Sequence, residues 1–313
     1  MKKILALALS LTLALSLLAG CGSTSQEPAE TEETAEVTEP AETEEVAVEV
    51  DPETAILVVS FGTSYNDSRE ATIGATEQAI QAAFPQYEVR RAFTSQIIID
   101  KLAERDGLEI DNVTQALDRA AADGIKNLIV QPTHLMDGFE YNDLKDELAG
   151  YEDVFDQIIL GEPLLTSDED FEAVISVITA DTASYDDGQT AIVFMGHGTE
   201  ADSNAVYAKL QEMVTADGFE NYYIGTVEAT PSLDDVIAAI DGKDYTRVVL
   251  EPLMVVAGDH ANNDMAGDED DSWKTILTGE GYEVECILEG LGQKPGVQAV
   301  YVDHVQAAVD QLA

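Results

Sequence analysis

The chain has 313 residues, of which 45% are hydrophobic, and its 62 acidic residues against 15 Lys and Arg give a formal net charge of −47. This length and hydrophobic content predict about two packed domains, since a typical domain has about 100–200 residues. The acidic charge excludes nucleic acid as a partner, because binding to a phosphate backbone requires a basic surface.

Residues 1–20 have the pattern of an export signal. Lys2 and Lys3 precede an apolar run over residues 4–19, which is short for a membrane-spanning helix. The run ends in LAGC, which resembles a bacterial lipoprotein signal in which Cys21 is lipidated and becomes the mature N-terminus. An ordinary signal peptide and a single membrane anchor are the alternatives. We expect an exported protein, tethered by acyl chains on the extracytoplasmic side of a membrane.

Residues 21–53 are predicted to be an acidic, disordered linker. From residue 26 to residue 53 the chain contains no Lys or Arg and twelve acidic residues. Such a segment buries too little apolar surface to order itself, and its like charges keep it extended. Cys286, the other cysteine, lies in an apolar run and is predicted to be a core thiol.

The first half of the globular region alternates between short apolar strands and amphipathic helices. Strands are predicted over residues 54–60, 88–93, 126–131 and 154–160, and helices over residues 69–84, 96–105, 112–122, 142–149 and 168–182. This alternation predicts an α/β fold in which a parallel sheet carries helices on both faces.

The second half repeats the scheme. Strands are predicted over residues 190–195, 222–227, 247–256 and 283–288, and helices over residues 203–215, 232–240, 271–278 and 297–312. Sequence similarity also relates the halves, since Pro132 matches Pro252 and Glu140 matches His260 at a constant offset. We therefore predict two similar α/β domains, residues 54–185 and 186–313, that face each other across a cleft.

Three candidate metal ligands follow strands of the second half. His197 lies in the turn after the AIVFM strand, Glu228 ends YYIGTVE, and His260 lies beyond the VVLEP strand. Their spacings of 31 and 32 residues each match one strand-plus-helix unit, so their side chains are expected at the same edge of the sheet. Two imidazoles and a carboxylate are a common ligand set for a divalent first-row metal. The alternative interpretation is structural: the GHG sequence only forms a tight turn of the backbone, and Glu228 is a solvent-exposed residue at the end of a strand.

Other polar residues are open to a functional or a structural interpretation. His134 follows an apolar strand and Pro132, so it is either a fourth site residue or a hydrogen-bonded core histidine. His304 lies in the predicted last helix and is expected to be structural. The polar run from residue 259 to residue 264 either orients His260 or forms a turn.

Long motifs in the second half resemble the anaerobic sirohydrochlorin cobaltochelatase family, which belongs to the two-domain class II tetrapyrrole chelatases. They are MGHGT, GTVE, EPLMVVAGDHANNDM and DSWK, and the resemblance runs from about residue 55 to the C-terminus. It implies that His197 is a metal ligand and proton acceptor, and that Glu228 and His260 complete a cobalt site. It also implies that Glu140 is an acidic catalytic residue facing this site across the cleft.

The resemblance implies insertion of Co²⁺, with Fe²⁺ and Ni²⁺ as alternatives, into sirohydrochlorin, with release of two protons, as in cobalamin biosynthesis. The metal is then a substrate, and no nucleotide or redox cofactor is expected. Because this tetrapyrrole is rich in carboxylates, we expect local donors from Thr63, Ser64, Ser68 and Arg69 to bind it. A non-enzymatic lipoprotein that captures metal, haem or a corrinoid for uptake is the alternative. A metallohydrolase is a weaker reading, and the sequence leaves the oligomeric state open.

Overall fold

A computed structural model of the chain describes residues 49–312, which belong to one compact unit. The predicted signal peptide, the lipidation site Cys21 and most of the predicted linker lie outside the described residues. Within the described residues, no helix combines the length and apolar character that crossing a membrane requires.

Two parallel four-stranded sheets form the framework. The first contains β1 (Thr54–Ser60), β2 (Glu88–Phe93), β3 (Asn127–Pro132) and β4 (Gln157–Leu160), and the second contains β5 (Thr190–Gly196), β6 (Tyr222–Thr226), β7 (Arg247–Pro252) and β8 (Glu283–Cys286). Their strand orders, β2-β1-β3-β4 and β6-β5-β7-β8, are equivalent. The predicted pair of similar α/β halves is thereby confirmed. The prediction that β7 continues to residue 256 is wrong, because the chain leaves the sheet after Pro252.

Helices connect the strands of each sheet. In the first half, α1 (Asn66–Arg69) continues through a π-helical turn, Glu70–Gly74, into α2 (Ala75–Ala83). The remaining helices of that half are α3 (Gln96–Asp106), α4 (Val113–Ala122), α5 (Phe139–Ala149) and α6 (Asp168–Thr182). The second half contributes α7 (Ala205–Ala216), α8 (Leu233–Ile240), α9 (Trp273–Gly279) and α10 (Pro295–Val309). Capping boxes begin α4 at Asn112, α6 at Ser167 and α8 at Ser232.

The largest apolar cluster is shared by the two sheets. Ile56 and Val58 of β1 belong to it together with Phe194 of β5, whereas Leu57 packs on the opposite face of its sheet. This alternation follows from the two-residue period of a strand. The two sheets are therefore joined by one continuous core rather than by a linker.

The last helix, α10, packs against α2 and β3 of the first half. The Tyr301 hydroxyl of this helix donates a hydrogen bond to the Thr133 carbonyl (3.0 Å) at the end of β3. The buried Lys294 ammonium, just before α10, lies 2.7 Å from the equally buried Glu251 carboxylate on β7. These contacts connect the C-terminal segment to both sheets and so stabilise the arrangement of the two sheets relative to each other.

Candidate metal centre

A cleft of about 510 Å³ lies at the carboxyl ends of the strands of both sheets. Its lining includes residues that directly follow β1, β3 and β5, and also Glu228 and Met254, each two residues beyond the end of β6 or β7. In open α/β sheets this edge is where ligands bind, because the loops after the strands converge there.

The chain turns sharply where β5 enters the cleft. Gly198 has a φ of +85°, and a Cβ at this position would lie 2.8 Å from the Cβ of Ala229. A Cβ on Gly196 would lie 2.3 Å from the ring of Tyr207. Glycine is therefore required at both positions, because the backbone passes too close to its neighbours for any side chain. The turn presents His197 at the end of the strand.

Local hydrogen bonds orient the His197 side chain. Its Nδ1 donates to the Gly198 carbonyl (2.7 Å), which leaves Nε2 free to face the cleft. The Glu228 amide donates to the His197 carbonyl (2.9 Å), so the two residues lie side by side on adjacent loops. The distance from His197 Nε2 to Glu228 Oε1 is 3.9 Å.

His260 reaches the same point from the loop after β7. Its ring centre lies 4.7 Å from that of His197, with the ring planes at 83°. His260 Nδ1 lies 2.5 Å from Asp264 Oδ2, one helical turn further on, so this carboxylate fixes the orientation of the imidazole. The amide groups of Asn262 and Asn263 bond within the turn instead, to Gly258 and Asp259.

The ligand atoms of His197, Glu228 and His260 all lie within 4.8 Å of one another. The side chains are 48%, 57% and 31% exposed, respectively, so an ion held by them remains open to the cleft. Three nitrogen and oxygen donors of this kind suit a divalent first-row metal and leave coordination positions for another ligand. The structure thus brings together the three residues that the sequence predicted as metal ligands.

Glu140 lines the cleft from the opposite half, in the first turn of α5. The protein around it removes water from the carboxyl group and raises its pKa, an effect that the nearby His197 partly opposes. Glu140 is not part of the three-residue cluster. Glu140 therefore faces the cleft as a carboxylate separate from the three clustered donors.

His134 also lines the cleft, at the end of β3. It is buried, and neither ring nitrogen has a hydrogen-bond partner. Burial lowers its pKa to about 4, so this imidazole is neutral at physiological pH and does not repel a cation. His304, by contrast, binds Asp170 (3.0 Å) and the Glu162 carbonyl (3.1 Å) and does not line the cleft.

The family profile described as "Cobalt chelatase (CbiK)" matches residues 54–310, which are most of the chain. The chain belongs to the cobalt chelatase family. Among its relatives, the sirohydrochlorin cobaltochelatase of Salmonella typhimurium is 40% identical over 256 residues, which cover 82% of this chelatase and 96% of the relative. The sirohydrochlorin cobaltochelatase CbiKC of Nitratidesulfovibrio vulgaris is 31% identical over 259 residues, covering 82% and 91% of the two chains.

The fold of this cobalt chelatase is also found among solved structures. SirB from Bacillus subtilis, determined with Fe³⁺, superposes with a TM-score of 0.57 at 13% identity. The match covers 82% of this chain and 95% of SirB. At this level of identity the likeness establishes a shared fold, with two similar domains that each carry a parallel sheet.

The four residues predicted to bind the substrate lie in different places in this chelatase. Thr63 and Ser64 line the cleft, and Ser64 and Ser68 line a neighbouring groove. Arg69 lines neither; it is buried, and its guanidinium donates to Asn66 Oδ1 (2.8 Å). Helical spacing predicts a helix after β1 but does not determine that Arg69 points away from the cleft.

Sequence reasoning missed the apolar walls of the cleft. They come from separate loops of both halves and include Phe61, Met136, Phe139 and Val256. Phe61 is 47% exposed and Phe139 is 59% exposed, and both line the same cleft, so they offer it an apolar surface. The similarity between the two halves could have indicated one of these residues, because Phe61 occupies the position in the first half that His197 occupies in the second.

Proposed function

We propose that this chain is a sirohydrochlorin cobaltochelatase, which inserts Co²⁺ into sirohydrochlorin and releases two protons. The observation that carries the proposal is the convergence of His197, Glu228 and His260 in an open cleft. The relatives named for this activity, at 40% and 31% identity over nearly their whole length, support the same reaction and substrate.

The three donors bind the incoming Co²⁺, which is a substrate of the reaction. His197 binds through Nε2, because its Nδ1 hydrogen is held by the Gly198 carbonyl. Glu228 supplies negative charge that offsets part of the charge of the dication. Because the three side chains are partly exposed, the ion can enter from solvent and can leave toward a second ligand.

The cleft combines an apolar surface for the ring of a tetrapyrrole with donors for the metal. Its apolar walls, which include Phe61, Met136 and Phe139 of the first half, pack against a flat macrocycle, while the donor set comes from the second half. Insertion of the metal requires loss of two protons from the pyrrole nitrogens. Glu140 accepts a proton on its carboxylate, and its raised pKa brings its affinity for the proton closer to neutral pH. His197 Nε2 can accept a proton once the metal has left it.

An insertion assay tests the proposal. The purified protein, supplied with sirohydrochlorin and with Co²⁺, Fe²⁺ or Ni²⁺ in parallel, should accelerate the shift of the tetrapyrrole absorption spectrum over many turnovers. His197→Ala should lose most of this activity, whereas His304→Ala should retain it, because His304 lies outside the cleft. A rate equal to that of buffer with every metal would refute the chelatase. Stoichiometric binding without turnover would favour the alternative, a capture protein for uptake.

We propose in addition that the protein is an exported lipoprotein, lipidated on Cys21 and carried on a spacer over residues 21–53. The basic start, the apolar run and the LAGC sequence support this. Metabolic labelling with a fatty acid should mark the wild type and not Cys21→Ser, and only the wild type should sediment with membranes. Equal labelling of both proteins would contradict the proposal.

A further inference from the structure

The charges that line the cleft are segregated from those of the adjoining groove. The cleft carries four carboxylates, from Glu140, Glu200, Glu228 and Asp259, and among its described lining residues none is Lys or Arg. These carboxylates attract a dication but repel the acidic side chains of sirohydrochlorin. The carboxylates at the rim of the macrocycle therefore need a binding surface outside this lining.

A groove of about 670 Å³, here called the side groove, supplies such a surface. It shares Ser64 and Tyr65 with the cleft and includes Lys101 and Arg105 from α3. The Tyr65 hydroxyl lies 3.4 Å from Asp259 Oδ1, beside His260, which places this ring at the junction of the two cavities. A ligand that fills the cleft can therefore extend past Tyr65 into the side groove.

The two cations of the side groove differ in how they are held. The Arg105 guanidinium pairs with Asp106 (2.5 Å) and donates to Asn66 Oδ1 (2.7 Å), so it has partners within the protein. Lys101 makes no ion pair, hydrogen bond or ring contact within residues 49–312. In a chain with 62 acidic residues, a lysine without a partner is available for an anion from outside. Among the described residues of this lining, Asp67 is the one carboxylate and Arg105 is already paired with Asp106, so Lys101 is the cation of the groove without a partner.

We infer that the side groove binds carboxylate side chains of the tetrapyrrole, with Lys101 as the charge partner and Arg105 as a second donor. This inference rests on the proposed function and adds the residues that recognise a carboxylate-rich substrate. Ser68 also lines the groove, but its Oγ is buried within the protein and has no hydrogen-bond partner among the described residues. Lys101 and Arg105 thus have the role that the sequence had suggested for Arg69.

The test measures binding of metal-free sirohydrochlorin to the full chain by fluorescence, without any metal and hence without turnover. Lys101→Met should weaken binding about three- to tenfold, because a partly solvated ion pair with a carboxylate is lost. Lys101→Glu should weaken it further. Lys243→Met is the matched control: it removes the same charge from a lysine before β7, at the edge of the sheet away from the cleft. It should bind like the wild type.

Two further readouts separate a charge partner from a structural residue. Added salt should weaken binding by the wild type more than by Lys101→Met, since the variant has lost one screened interaction. Affinity for Co²⁺ alone should be the same in both proteins, because Lys101 does not line the cleft that holds the metal donors. Equal affinity of Lys101→Met and the wild type for sirohydrochlorin would overturn the inference while cobalt insertion by the wild type stood. Failure of the wild type to insert cobalt would instead refute the proposed function.

Discussion

His134 gives a prediction whose magnitude follows from its burial. Its pKa is about 4 in the folded protein, against about 6.5 for an exposed imidazole. As the pH falls, the unfolded chain binds this proton before the folded chain does. The stabilising contribution is therefore complete above pH 6.5 and is lost as the pH falls toward 4. Between pH 7 and pH 5 the loss amounts to about 2 kcal/mol in the free energy of unfolding.

Urea unfolding at the two pH values, followed by the fluorescence of the buried Trp273, measures this term. Other groups also titrate as the pH falls, so the comparison is between the wild type and His134→Gln, whose side chain cannot titrate. The variant should lose about 2 kcal/mol less than the wild type between pH 7 and pH 5. His134→Leu should show the same reduced pH dependence. An identical pH dependence in all three proteins would refute the assignment of a buried, neutral imidazole.

Three further substitutions test the supports of the site and of the fold. Gly198→Ala should lower the thermal stability more than Gly188→Ala. Both glycines have a positive φ, but only at position 198 would the added Cβ also clash with Ala229. Equal decreases in the unfolding temperature would show that this clash is relieved at no cost. Asp264→Asn should weaken Co²⁺ binding in calorimetry by about 10–100-fold, since the carboxylate orients His260, and an unchanged affinity would contradict that role. Lys294→Met should lower the free energy of unfolding by about 3–5 kcal/mol, because it leaves the Glu251 carboxylate buried and unpaired. Adding Glu251→Gln to this variant should recover part of the loss. An unchanged free energy of unfolding in Lys294→Met would contradict the buried pair.

The strands and the order of the sheets follow closely from the sequence. Runs such as TAILVVS are short, apolar and rich in β-branched residues, and they become the fully buried strand β1. The placement of His197, Glu228 and His260 was predictable for a related reason. Each follows a strand of one parallel sheet, and parallel topology brings strand ends to a common edge.

Contacts between elements that are distant in the chain were not predictable in this way. Periodicity shows that α10 has buried positions but not that it packs on β3 of the other half. The cationic residues of the side groove belong to α3, where Lys101 reads as an ordinary solvated charge. Only the packing of α3 beside the loop that contains Tyr65 makes these residues neighbours of the cleft. The orientation of Arg69 away from the cleft has the same origin.

The location of bound Co²⁺ tests the central claim most directly. Crystals of the protein soaked with Co²⁺ and measured at the cobalt absorption edge show the position of the ion by anomalous scattering. We expect one strong peak within coordination distance of His197 Nε2, the Glu228 carboxylate and His260 Nε2, on the open side of the cleft. A peak elsewhere on the acidic surface, with none among these three side chains, would contradict it.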